Sequence, residues 1–161
     1  MAFARLDAAS KVLDFPVRQL VREGQIAEQA LLPSALYSPM QGENPGLESE
    51  REWIVGQYAR WRGARVPGRL ITSAKSWLCH PAIDRAANIL PWGGAADVAR
   101  ISPVRASGLL LEHLRASWNE AHAADPLEKP PTASTSPVKS AQCDMVLMAS
   151  LRDFKRPAWH E

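Results

Sequence analysis

No run of 18 apolar residues occurs anywhere in the 161-residue chain, so no membrane-spanning helix is expected. The first ten residues, MAFARLDAAS, lack a basic start followed by an apolar core, and no signal peptide is expected either. Cysteine is scarce: Cys79 and Cys143 stand far apart, and without a secretion signal two reduced thiols are expected rather than a disulfide. Charge of one sign is also lacking. Nineteen Lys and Arg against 17 Asp and Glu leave +2, too little to draw the whole molecule to nucleic acid or to a membrane surface. The four histidines (His80, His113, His122 and His160) and the two cysteines have no metal-site spacing. Gly93-Gly94 is not followed by the Lys-Ser/Thr of a phosphate loop, so it reads as a turn. Ser34, Ser73 and Ser76 have no nucleophile-elbow context. No internal repeat is found. These absences leave a soluble cytoplasmic protein with one modest domain as the expectation.

What is present has a clear order. Residues 2–6 and 11–21 read as short strands; Phe15, Val17 and Leu20 are candidates for one shared face, and Pro16 marks an edge or bulge. Arg22-Glu23-Gly24-Gln25 reads as a turn, and Ala30 to Tyr37, with Pro33 near its start, suits an edge strand. Residues 38–51 hold Pro39, Gly42, Pro45, Gly46 and several acids and read as a mobile loop. Trp53 to Val55 is a strand closed by Gly56, Gln57 to Arg65 a short basic helix, and Val66-Pro67-Gly68 a turn. Residues 69–78 carry Leu70, Ala74, Trp77 and Leu78 at helical spacing, and His80-Pro81 ends that pattern. Residues 81–101 read as irregular around Ile89 to Gly94. From 102 to about 123 the signals agree on a long helix: Ser102 as N-cap, Pro103 in the first position, and a stripe of Val104, Leu111, Leu114 and Trp118 widened by Leu110. After Asp125-Pro126, residues 126–143 turn rich in Pro, Ser and Thr and read as a linker. Asp144 to Leu151 is apolar enough for a strand within a short tail, 144–161.

The stretch WIVGQYARWRGARVPGRLITSAKSWL, residues 53–78, has a strand ending in Val-Gly, a helix with an Ala-Arg pair, a turn, and a helix carrying one buried-looking lysine, Lys75. That order resembles the first lobe of the ATPase domain in the heat-shock-70 (DnaK-type) chaperone family, in a divergent bacterial branch. Leu31 to Tyr37 resembles the Pro-Ser strand that comes before the Val-Gly strand in that family. Ser102 to His122 resembles the long helix after its small inserted subdomain. The resemblance covers residues 1–125 or slightly beyond. It implies an α/β fold: part of an actin-like, ribonuclease-H-like ATPase lobe with a few antiparallel strands, two short helices and one long helix. It further implies ATP and magnesium as cofactors, unfolded polypeptide clients and co-chaperones as partners, Lys75 as the cleft lysine, and Ser34 and Gly56 as framework positions.

The chain departs from the family at both ends of this region. The phosphate-gripping Asp-Leu-Gly-Thr-Thr loop is absent, 126–143 stands where a Val-Pro-Ala strand should follow, and Asp144 to Ala149 is at best a remnant of that strand. Lys75 alone is not expected to catalyse, because phosphoryl transfer depends on phosphates, metal and nucleophile being held together. Two other readings stay open. One is a non-enzymatic interaction module using the arginines 51, 60, 62, 65 and 69, interleaved with Trp53, Tyr58 and Trp61, against a plain solvated helix face with its tryptophans packed inward. The other is a truncated gene product without function.

Overall fold

The computed structural model describes residues 2–3, 13–46 and 52–123. Arg51, Cys143, the 126–143 segment and the strand expected over 144–151 lie outside the described residues. Strand β1 (Ala2–Phe3) pairs antiparallel with β2 (Leu13–Asp14). A hairpin follows, β3 (Val17–Arg22) and β4 (Gln25–Gln29), turning at Glu23-Gly24 as the turn residues dictate. The register slips between Leu20 and Arg22. Phe15 and Val17 pack together against the long helix described below, but Leu20 does not join them. Successive side chains on a strand alternate, so Leu20 falls on the opposite face from Val17 and enters a different core cluster. Gln19, on the same parity as Val17, is buried in its place.

Strand β5 (Ala35–Tyr37) is buried at all three positions. It pairs with β6 (Ile54–Val55) on one side and β7 (Leu70–Thr72) on the other, both antiparallel. It is therefore the central strand, not the edge strand that Pro33 suggested. The proline lies two residues before the first ladder position, where its missing N–H costs nothing. Trp53 is buried but precedes β6, which is two residues long.

Helix α1 (Gln57–Gly63) begins as expected after Gly56. Gly56 sits at φ 96°, and a Cβ there would lie 2.5 Å from Gln19 Oε1 and 2.8 Å from Leu32 Cδ1. The same Gln19 Oε1 accepts the Gln57 N–H at 2.8 Å, so a strand residue 38 positions earlier caps the helix. Tyr58, Ala59 and Gly63 form its buried face.

The helix expected over 69–78 forms only in part. Pro67–Arg69 is a 3-10 turn and Leu70–Thr72 is β7, and only Ala74–Leu78 is helical (α2). Leu-Ile-Thr is a good strand sequence, and pairing with Tyr37, Leu36 and Ala35 outweighs the helical spacing of its apolar residues. Ser73, at φ 54°, makes the left-handed corner between β7 and α2.

Residues 80–101 run without regular elements, closed by a bridge between Leu90 and Ile101. Helix α3 (Pro103–Ala121) has the expected start: Ser102 Oγ accepts the Arg105 N–H at 3.1 Å. Its expected stripe holds at Leu110, Leu114 and Trp118, which pack on the core, but not at Val104 and Leu111, exposed at 54% and 48%; Ala106 and Ser117 are buried and Leu109 packs at the core margin. Small residues let α3 approach closely, and Ser117 Oγ accepts the Arg18 N–H of β3 at 3.0 Å. The result is a mixed α/β fold of small antiparallel sheets and three helices.

Replacing Gly56 with Ala should destabilise the protein by about 3 kcal/mol, combining the strain of a positive φ with overpacking against Gln19 and Leu32. Urea unfolding measures it, and a Gly56→Ala midpoint equal to that of the parent would show the close approach to be unimportant.

Candidate functional site

The segment 38–51 reads as a mobile loop from its sequence, yet its described part, 38–46, carries the best-connected carboxylate among the described residues. Glu43 Oε2 accepts the Tyr37 hydroxyl at 2.8 Å and the Met40 N–H at 3.0 Å. Its Oε1 accepts Arg62 Nε at 2.8 Å and the Tyr58 hydroxyl at 3.3 Å. The carboxylate is 14% exposed, and both tyrosines are fully buried. Burial by itself would raise the Glu43 pKa, but the hydrogen bonds from Met40, Arg62 and Tyr37 outweigh it and hold the group below the usual carboxylate range. Burial, together with the Glu43 charge and its hydrogen bonds, pushes both tyrosines up to about 12. With both oxygens accepting two donors, Glu43 has no lone pair left for a proton-transfer role or a metal. It locks the loop to β5 and α1.

Lys75 stands on α2, five residues long, and is exposed rather than buried. Its helix is positioned by β7, whose ladder to β5 continues in the Ser73 N–H donating to Ser34 O at 3.1 Å. Ser34 and Gly56 thus flank the central strand at its two neighbours, since the Gly56 N–H donates to Ala35 O at 3.0 Å. No cluster of three or more His, Cys, Asp or Glu residues with metal-binding geometry occurs among the described residues. No helix among them is long and apolar enough to cross a membrane. Cys79 is an exposed free thiol.

The basic-aromatic series splits in two. Arg62 is held by Glu43, and Arg69 is buried, pairing with Asp97 and donating to Pro39 O at 3.2 Å. Trp53 and Tyr58 are buried as well. What remains outside is Arg60 and Arg65, joined by Arg22 from β3, beside the half-buried Trp61, which packs against the core. The Arg65 and Arg22 guanidiniums lie over the Trp61 ring, 4.2 Å and 4.8 Å from its centroid. Sequence reasoning missed Glu43, Gln19, Asp97 and Arg22. Glu43 sat among turn residues in a segment rich in acids, and nothing local marks one acid there from another.

A second aromatic group lies elsewhere: Trp92, 68% exposed, stacks on Trp77 with centroids 5.6 Å apart, and Trp77 stacks on His80 at 6.2 Å.

No protein-family model, curated protein or solved structure matches the chain.

The protein contains just two tyrosines, both in the Glu43 cluster. Because both pKa values are raised in the fold, they add stability at neutral pH that is lost as pH climbs from the ordinary value of 10.0 to about 12. Absorbance at 295 nm should show no tyrosinate in the folded protein at pH 10.5 and a transition near 10 in denaturant. A native titration centred on 10 would contradict the buried geometry. Glu43 has the opposite sign: its lowered pKa adds stability above the usual carboxylate range, and that stability falls away as pH drops through the folded value. Glu43→Gln, which removes the charge but not the shape, should cost about 2 kcal/mol at pH 7. Urea unfolding at pH 7 checks this, and an unchanged midpoint would show that the lock contributes nothing.

Proposed function

We propose that the chain is an ATPase-lobe segment of a heat-shock-70-like chaperone that does not hydrolyse ATP by itself. The observation that carries this reading is the neighbourhood of β5. The Pro-Ser segment runs into it, the Val-Gly strand β6 pairs on one side, and β7, which leads into the Lys75 helix, pairs on the other. Segments that carry the resemblance in sequence are thus adjacent strands of one sheet, with α3 packed against their shared core.

In this reading Lys75 offers one exposed ammonium to a phosphate, a role suited to a compact cation on a flexible stem. The described residues hold no cluster of carboxylates that would bind magnesium, so no catalytic step is assigned to them. ATP and magnesium would require chain elements that face Lys75 from elsewhere. Unfolded polypeptide as client, co-chaperones as partners and a cytoplasmic location belong to the same proposal.

The test pairs two measurements of phosphate release. The chain alone should release none above background. A chimera carrying residues 13–123 in place of the matching segment of a heat-shock-70-type chaperone should turn over ATP, and Lys75→Ala should abolish that turnover without lowering the chimera's melting temperature. Turnover by the chain alone would overturn the prediction of no independent activity. A folded chimera whose turnover ignores Lys75→Ala would overturn the assignment of the lysine.

A further inference from the structure

Between the β3–β4 hairpin, α1 and the segment leading to β5 lies a groove of about 430 Å³. Arg22, Arg60, Gln25, Gln29, Gln57 and Leu31 line it, and no acidic residue does. Its volume is within the range of ordinary ligand sites. The Arg22 guanidinium lies over the Trp61 ring, 4.8 Å from the centroid, a contact that favours this placement of its side chain. The β4 residues Gln25 and Gln29 both line the groove from strand positions of one parity, while Glu28, of the other parity, is not among the lining residues.

The chemistry of the lining selects a partner. Two arginine forks, which bind carboxylates in bidentate fashion, sit among three primary amides that can both donate to and accept from a peptide backbone. Leu31, 70% exposed, adds an apolar contact. Nucleic acid fits less well. The nearby ring, Trp61, already carries the Arg22 and Arg65 guanidiniums, and base stacking needs an open aromatic face.

We propose that this groove docks an extended acidic polypeptide segment, with Arg22 and Arg60 each taking a carboxylate and the glutamines engaging its backbone. Lys75 is not among the lining residues, so this site stands apart from the ATPase-lobe reading and can be tested without it.

The experiment is fluorescence anisotropy with a fluorescein-labelled peptide of alternating glutamate and valine, using the full chain. A peptide with glutamine in place of glutamate and an oligothymidylate serve as competitors. The acidic peptide should bind about tenfold or more tighter than its glutamine counterpart, as expected for charge-assisted pairing, and should weaken with added salt. Arg22→Gln with Arg60→Gln should lose that preference, while Arg105→Gln on α3 should keep it. Arg22→Glu with Arg60→Glu should instead bind a lysine–valine peptide, which separates loss of charge from loss of fold. No saturable binding of the acidic peptide, equal affinity for the glutamine peptide, an unchanged double variant, or tighter binding of the oligothymidylate would each overturn the proposal.

Discussion

Three residues, Ala35, Leu36 and Tyr37, hold the fold together because strand β5 faces both cores at once. Leu36 points into the cluster with Trp53, Val55, Ile71, Leu90, Val98 and Ala106. Ala35 and Tyr37 point the other way, into the cluster with Leu20, Ile54, Tyr58 and Ala59. Period-two alternation makes this unavoidable for a strand covered on both faces. Its backbone groups meet β6 and β7 on either side. Helix α3 reaches the first cluster and α1 the second, so each helix packs on the sheet through a different face of the same strand.

Polar side chains then fasten the irregular parts to this frame. Gln19 joins the hairpin to α1 and to the 31–33 segment, donating to Leu31 O at 2.9 Å and accepting from Gln57 N. Glu43 ties the 38–46 loop to Tyr37, Tyr58 and Arg62, and Arg69 ties the same loop to Asp97 through Pro39 O. The tip of the hairpin is secured as well: the Gly24 N–H donates to Pro45 O at 2.8 Å, and a Cβ on Gly46 would lie 2.5 Å from Gly24 Cα. A buried amide or carboxylate is costly unless its partners are in place, so each of these residues allows one local arrangement and penalises the rest.

The arginines are divided between two kinds of position. Arg62 and Arg69 are used up inside the fold, each paired with a carboxylate. Arg22, Arg60 and Arg65 remain at the surface, two of them over the Trp61 ring and two of them lining a groove free of acids. Lys75 is presented by a short helix whose place is set by β7 pairing with β5.

The long helix from Ser102 was legible because N-cap, first-position proline and apolar spacing are all local signals, and they agree. So were the hairpin turn at Gly24, the Val-Gly stop before α1, and the start of α1 itself. The sequence could not set the rotation of α3: three consecutive leucines, 109 to 111, allow several stripes, and only close packing on Ala106 and Ser117 chose one. Nor could it make 70–72 a strand, since its apolar spacing fits helix and strand equally until β5 is beside it. The burial of Glu43, Arg69 and Gln19 lay beyond it as well. Local patterns are written in the chain, but which polar side chain finds its partner 19, 28 or 38 residues away is decided when the tertiary structure brings them together.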